Sequence, residues 1–309
     1  MTGADQFAGV AEEKLAIEPP QPSDLATKER AERPSAHYRS IAVHIKNHEE
    51  RSEHVAVAMR LAGHFGAHLT GILTQREPSI FKKLYSAESL PLQRLEALRR
   101  QAEEARVRLE TEAQRCGVAA EFKLGEGDAA ELLGYVGRLF DLIVVEQTDL
   151  SSDEIGFDVP ENCLAATGKP VLVVPSQGCF PTMGRHVLLA WNGSREAALA
   201  IHHALPFIAK AERITVLEGR GKERFPSVTR WPDVDVFRYL THYASAVQRR
   251  QLPENSGDAG EAILWHANTV GADLVVMGAY GRSWLAEWVL GGATRHVLRH
   301  AKIPLLMAH

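Results

Sequence analysis

A chain of 309 residues is long enough for two domains of ordinary size. Its net charge of −4, with 24% charged and 45% hydrophobic residues, excludes the broad basic excess that nucleic-acid binding draws on and fits a globular protein. No apolar run reaches the length of a membrane span, and the N-terminus lacks the basic-then-apolar layout of a signal peptide, so a cytoplasmic protein with no membrane and no nucleic-acid partner is expected.

Residues 1–36 hold Glu18-Pro19-Pro20-Gln21-Pro22 and a charged run from Lys28 to Arg33 with few aromatics, the composition of a mobile N-terminal tail. From Arg39 the chain alternates. Strands are expected at Ile41–Ile45, Leu69–Leu73, Ala119–Leu124, Leu142–Val145 and Val171–Val174, with helices over Ser52–Phe65, between Ser86 and Cys116, and over Ala129–Leu139. The order then returns, with strand Val187–Trp191, helix Arg195–Ala209, strand Ile214–Leu217, helix Ala259–Val270, strand Leu274–Met277, helix Ala293–Arg299 and strand Ile303–Met307. Between the second and third of these strands, Arg220–Gln251 holds Phe225, Trp231, Phe237, Tyr239 and Tyr243, is broken early by Pro226 and Pro232, and is read as helix over Val234–Arg249. Its aromatics, like Trp284 and Trp288 further on, either pack on the domain or cover a ligand or partner surface.

The return is a repeat of residues as well as of elements. Arg39-Ser-Ile-Ala-Val answers Arg185-His-Val-Leu-Leu, Gly127-Asp-Ala answers Gly257-Asp-Ala, Asp141-Leu-Ile-Val-Val answers Asp273-Leu-Val-Val-Met, and Lys169-Pro-Val-Leu-Val answers Ile303-Pro-Leu-Leu-Met. Asp128 with Glu131, and Asp258 with Glu261, have capping-box spacing, a structural role. Strands alternating with helices imply parallel sheets with right-handed crossovers. The fold expected is α/β, with two tandem Rossmann-like or flavodoxin-like domains, 37–178 and 179–309, each a five-stranded parallel sheet flanked by helices.

After the strand at Leu274, Gly278, Ala279, Tyr280 and Gly281 lead through nine residues to Gly291 and Gly292, where a helix begins. Glycine turns beside a helix N-terminus turn unpaired N–H groups and a positive dipole end toward one small volume, which lets backbone hold a phosphate. Glycines there can also do no more than shape a turn and start a helix. This G-x-x-G, nine residues, G spacing, with Asp273-Leu-Val-Val-Met-Gly before it and His300-Ala-Lys-Ile-Pro-Leu-Leu after it, resembles the nucleotide-binding pattern of the universal stress protein family. With the repeat, the likeness covers roughly residues 38 to 309.

The resemblance implies ATP or another adenine nucleotide, with Mg²⁺ able to arrive on it. Its ligand contacts would fall on Gly278, Ala279, Gly281, Arg282, Gly291, Gly292, Ala293 and Thr294, on Trp191, Asn192 and Gly193, and on Val216 or Leu217. Two departures stand out. The family pattern carries Ser or Thr after the third glycine, whereas this chain has Gly292, with Thr294 two residues on. A hydrogen bond to a charged group is worth roughly 1.5–3 kcal/mol, so the missing hydroxyl weakens binding about tenfold or more. Asn192 replaces an acid; it either bonds the ligand's ribose or base, or it or Ser194 caps the following helix. Arg282 either pairs with phosphate or only solvates the loop. In the first copy Glu146 falls opposite Gly278 and Asp149 opposite Gly281; carboxylates there repel phosphate, so the first copy's site is expected to be degenerate.

No G-x-x-x-x-G-K-[S/T], no G-x-G-x-x-G after a strand and no G-x-S-x-G is present, so P-loop, dinucleotide-fold and serine-hydrolase chemistry lack support and no catalytic residue is assigned. His296 and His300 have an i, i+4 spacing that suits zinc, but no hydrolytic glutamate accompanies them and Arg295 and Arg299 oppose a cation, so no metal is assigned. Cys116, Cys163 and Cys179 are widely spaced, without a CxxC, and read as free thiols. The function expected is a stress-response sensor or regulator that binds nucleotide in its second domain without efficient turnover, with slow ATP hydrolysis or phosphotransfer as a weaker reading. The alternative is a ligand-free interaction module whose last strands pair, either between the tandem domains or between two chains as a homodimer.

Overall fold

Helices cover both faces of the central strands, which are therefore apolar along nearly their whole length. The computed structural model describes residues 37–46, 52–75, 92–148, 159–219, 232, 235–252, 258–280 and 292–309. The chain divides at Ala36, and all described residues belong to the unit His37–His309. The expected tail lies outside the described residues, as do Asp149, Phe225, Trp231, Trp284 and Trp288.

The first half runs β1 (Ser40–Ile45), α1 (Glu53–Phe65), β2 (His68–Gln75), α2 (Leu92–Cys116), β3 (Ala120–Glu126), α3 (Ala129–Val136), a 3₁₀ turn (Gly137–Leu139), β4 (Leu142–Glu146), α4 (Val159–Thr167) and β5 (Val171–Val174). The second runs β6 (His186–Trp191), α5 (Arg195–His203), α6 (Leu205–Ile208), β7 (Arg213–Glu218), α7 (Val236–Leu240), β8 (Val247–Gln251), α8 (Ala259–Val270), β9 (Leu274–Gly278), α9 (Gly292–His300) and β10 (Leu305–Ala308). The expected helix Arg195–Ala209 divides into α5 and α6, with Pro206 in the first turn of α6, where a missing N–H is tolerated.

All strands form one ten-stranded sheet in the order β3-β2-β1-β4-β5-β10-β9-β6-β7-β8. Within each half the pairing is parallel and the order is third, second, first, fourth, fifth, so the expected α/β architecture is present. The halves meet where β5 and β10 pair antiparallel, with Leu172 opposite Leu306 and both fully buried. One core cluster lies under α1, α2, α5, α6 and α7, the other under α3, α4, α8 and α9, and each runs through both halves. Tyr38 and Phe65 of the first half meet Phe207 of the second in a three-ring aromatic cluster.

The repeat extends to individual hydrogen bonds. Asp141 accepts the Arg39 and Ser40 backbone N–H groups at 2.8 and 3.1 Å, and Asp273 accepts those of Gly184, Arg185 and His186 at 3.0, 3.1 and 2.9 Å. Asp128 caps α3 through the Ala130 and Glu131 N–H groups, and Asp258 caps α8 through that of Gly260.

One expectation is corrected and one element is new. Val234–Arg249 is not one helix, because only Val236–Leu240 is helical and Arg249 lies in strand β8. That strand, Val-Gln-Arg-Arg-Gln, is a largely exposed sheet edge, and its polar composition hides it from a pattern search while protecting the edge from pairing. Helix α4 was also not anticipated; it opens with Val159-Pro160 and is short. Phe237, Tyr239 and Tyr243 pack on their own domain: Tyr239 lies 5.2 Å from Tyr243, and Arg249 covers the Phe237 ring. Among the described residues no helix is long and apolar enough to cross a membrane.

Asp273→Ala is expected to lower the unfolding free energy of the full chain by about 2 kcal/mol or more, since three N–H groups lose a charged acceptor. Asp141→Ala should lower it by less. Urea denaturation at neutral pH measures both, and equal stability of Asp273→Ala and the parent chain would show that water replaces the carboxylate without loss.

Candidate functional site

In each half, winding reverses between the first and fourth strands, and a ligand of an open parallel sheet sits beyond the strand ends at that point. In the second half these are β6 and β9. Their pairing brings Trp191, Asn192 and Gly193 beside Gly278 and Ala279, five of the residues expected in the site. Asn192 and Gly193 are exposed and Trp191 and Gly278 half-buried. Gly292 and Ala293 open α9, exposed and half-buried, whereas Thr294 is buried, so its hydroxyl does not take the place left by Gly292 at the open end of the helix. Gly281, Arg282 and Gly291 lie outside the described residues.

Asn192 Oδ1 accepts the Ser194 N–H at 3.1 Å, and Ser194 Oγ accepts the Ala197 N–H at 3.1 Å. Ser194 is therefore the cap of α5 and Asn192 shapes the turn that precedes it. A Cβ at Gly278 would stand 2.5 Å from Ala197 N and 2.6 Å from the Glu196 carbonyl carbon, so glycine lets the first turn of α5 rest on the end of β9. The Ala279 N–H is committed to the Ala308 carbonyl at 2.8 Å and is not among the donors open to a ligand. Val216 is fully buried in the core with Leu240, which commits its side chain to packing. Tyr280 has a left-handed backbone, φ 51°, unusual for a bulky residue. Its ring meets His309 edge-on at 5.7 Å, and a His309 ring nitrogen bonds the Ala279 carbonyl at 3.0 Å.

Sequence reading missed Glu218, which ends β7 opposite Trp191. Its carboxylate lies 3.4 Å from Arg249 Nε and accepts from Gln251 Nε2 at 2.6 Å, both on β8. Glu218 was legible only as the residue after Leu217; of the partners that orient it, Arg249 ended the expected helix and Gln251 lay just beyond it. Among the described residues no group of three or more His, Cys, Asp or Glu side chains is arranged to hold a metal. Cys163 is buried, with its thiol pushed up to about 12, while Cys116 and Cys179 are exposed; all three are free.

The corresponding point of the first half is filled by its own charges. Glu146, the residue aligned with Gly278, lies 3.9 Å from Lys46 Nζ and 3.8 Å from His54 Nδ1. His54, in the first turn of α1, is 1% exposed, and its Nε2 bonds the His44 carbonyl at 2.7 Å. A carbonyl only accepts, so Nε2 carries the proton. His44 Nε2 in turn meets Thr74 Oγ1 at 2.8 Å. Burial holds both rings neutral: it lowers His44 to about 3, helped by His54 and Lys46, and lowers His54 to about 4 despite the His44 carbonyl.

Residues 240–309 match the model of the universal stress protein family. Among solved structures, the chain is similar to a universal stress protein from Archaeoglobus fulgidus DSM 4304, with a TM-score of 0.63 at 15% identity, covering 88% of this chain and 97% of that chain. It is also similar to a functionally unknown protein from Pseudomonas aeruginosa PAO1, with a TM-score of 0.56 at 16% identity, covering 89% of this chain and 93% of that one. No curated protein sequence matches the chain. The resemblance read from the residues is thus borne out by sequence in the C-terminal segment and by fold over most of the chain.

Gly278→Ala is expected to destabilise the protein by about 1–3 kcal/mol, because backbone of α5 must move, whereas Gly292→Ala meets nothing within 4 Å and should be neutral or slightly stabilising. Thermal melts of the two variants side by side test this. Acid should also weaken the fold. His44 and His54 have folded values below the ordinary histidine value of 6.5, so their contribution is complete above that pH and is lost as pH falls toward 4, by about 1.4 kcal/mol per pH unit for each ring. Urea midpoints at pH 7.5, 6 and 5 should fall along this slope and fall less steeply in His54→Gln.

Proposed function

We propose that the chain is a tandem universal stress protein that binds ATP or a related adenine nucleotide at the second half's strand ends and acts as a sensor or regulator. The observation that carries this is the asymmetry between two otherwise matching switch points. The first is occupied by Lys46, Glu146 and His54, while the second presents Asn192, Gly193, Gly278 and the N-terminal turns of α5 and α9. In this reading the phosphates lie toward the glycine turn and the start of α9, where backbone N–H groups and the dipole favour an anion. The ribose lies over Trp191 and Asn192. Glu218 supplies beside it the carboxylate that Asn192 lacks, held in place by Arg249 and Gln251.

Binding is favoured over turnover because the acids near this edge are engaged with neighbours: Glu218 with Arg249, Glu196 with Arg195 at 3.4 Å and Asp258 with His296 at 2.9 Å. The second reading, a ligand-free interaction module, draws on two observations. Gly278 is already required by the packing of α5, and the last strands already pair inside the chain.

Native mass spectrometry of the full chain, alone and with ATP, AMP and Mg²⁺, separates the two readings. One nucleotide per chain is expected, absent in Gly281→Asp. Gly292→Ser adds a hydroxyl where a new side chain meets open space and should tighten ATP about tenfold by calorimetry. No binding at millimolar ATP, in the parent chain and in Gly292→Ser alike, would leave the interaction module.

A further inference from the structure

Helix α9 carries a second arrangement, independent of nucleotide binding. His296 and His300 lie one turn apart on α9, with ring centroids 4.5 Å apart and planes inclined by 34°. His296 Nδ1 stands 2.9 Å from Asp258 Oδ2, and His300 Nδ1 stands 2.9 Å from the His296 carbonyl oxygen. Carboxylate and carbonyl only accept, so each Nδ1 carries a proton and each neutral ring keeps its lone pair on Nε2. Among the described residues neither Nε2 has a hydrogen-bond partner. His300 is exposed and the His296 side chain is 25% exposed, so metal can reach both rings.

We propose that His296 and His300 chelate a divalent transition-metal ion, of the Zn²⁺, Ni²⁺ or Cu²⁺ class, through their Nε2 atoms, with Asp258 and the His296 carbonyl as positioning groups. Imidazole suits these ions, and metal-bound histidines donate their other ring N–H to a carboxylate or carbonyl in this way. The protein supplies two ligands, and water or a small ligand completes the shell. The positioning is built into the packing of two helices: a Cβ at Gly260 would stand 2.7 Å from the Ala293 carbonyl and 2.8 Å from His296 Cβ, so glycine brings the capped start of α8 against α9 and delivers Asp258 to His296.

Arg295 and Arg299, the charges that weigh against a cation in the bare sequence, each precede a histidine by one position and so lie about 100° from it around the helix, while Arg295 is about 140° from His300 and Arg299 about 60° from His296. Asp258 offsets part of their field, and the C-terminal half of α9 is the negative end of its dipole, where a cation is favoured.

The test uses tag-free full chain titrated with Zn²⁺ by calorimetry, and with Cu²⁺ by electron paramagnetic resonance. One ion per chain is expected, with copper coupled to two ring nitrogens. His300→Gln, at an exposed position, should weaken Zn²⁺ at least tenfold and reduce the copper coupling to one nitrogen, with the metal-free melting temperature unchanged. Asp258→Asn keeps a good helix cap but removes the carboxylate, and should weaken Zn²⁺ about tenfold or more although it touches no metal. Zn²⁺ affinity unchanged in His300→Gln would place the ion on others of the 14 histidines and overturn the proposal, as would no binding at about 1 mM Zn²⁺.

Discussion

The antiparallel pairing of β5 with β10 is the constraint on which the rest of the molecule depends. Both strands are short, apolar and completely buried, and either left at an edge would expose unpaired backbone and an aggregation-prone surface. Pairing them removes both edges together. The strands that remain at the outside, β3 and β8, are the polar ones, with Glu121, Lys123 and Glu126 on one and Gln248, Arg249, Arg250 and Gln251 on the other. Of the two pairings of last strands that the interaction-module reading allows, the one between the two halves is present within the chain. Because strands are parallel inside each half and antiparallel at the join, the carboxyl ends of the two halves point in opposite directions along the strands. The two switch points are consequently distant and free to differ.

They differ in what their residues serve. At the end of β4, Glu146 lies beside Lys46 and the neutral His54, and the next residue, Gln147, turns its amide across to the other half, donating to the Leu298 and Ala301 carbonyls at 2.8 and 3.2 Å. Those are carbonyls at the end of α9, which a helix leaves without partners of its own. Gln147 corresponds to Ala279, and the two share the same backbone bond to a fifth strand, Gln147 N–H to Val174 and Ala279 N–H to Ala308. One frame thus supports two uses: in the first half the residue after the fourth strand anchors α9, and in the second the corresponding residue precedes the segment that carries the glycine spacing.

Much of this frame was legible in the residues. Strands such as Leu142–Glu146 and Leu274–Gly278 are short apolar runs closed by a polar or glycine residue, and matched Asp141 and Asp273 turned out to hold matched backbone amides. Polar segments whose structure is imposed by a neighbour were not legible. Strand β8 has no apolar face and exists because β7 offers it a row of hydrogen-bonding groups. The candidate site was legible in position, through the glycine spacing, and not in detail. Nothing local to Asn192 says that its carbonyl is used by Ser194, and nothing local to Glu218 says that Arg249 and Gln251 fix it. The tie between Asp258 and His296 joins residues 38 positions apart through a glycine contact between helices, which no spacing rule reports.

Gly278 shows why the packing and ligand readings of a motif glycine are not exclusive. The absence of a side chain lets the Ser194-capped turn of α5 settle on the end of β9, with backbone atoms of Glu196 and Ala197 where a Cβ would be. The atoms in contact belong to the first turn of α5, so the same contact that fixes α5 sets its positive end at the switch point. In the first half the equivalent position is Glu146, and the first turn of α1 meets it with His54, a side chain answering a side chain. Exchange of one glycine for a carboxylate therefore changes both the approach of a helix and the sign of the charge at its tip. It does so without disturbing the strand beneath, which explains how two halves with the same topology and the same amide-binding aspartates present such different surfaces at their switch points.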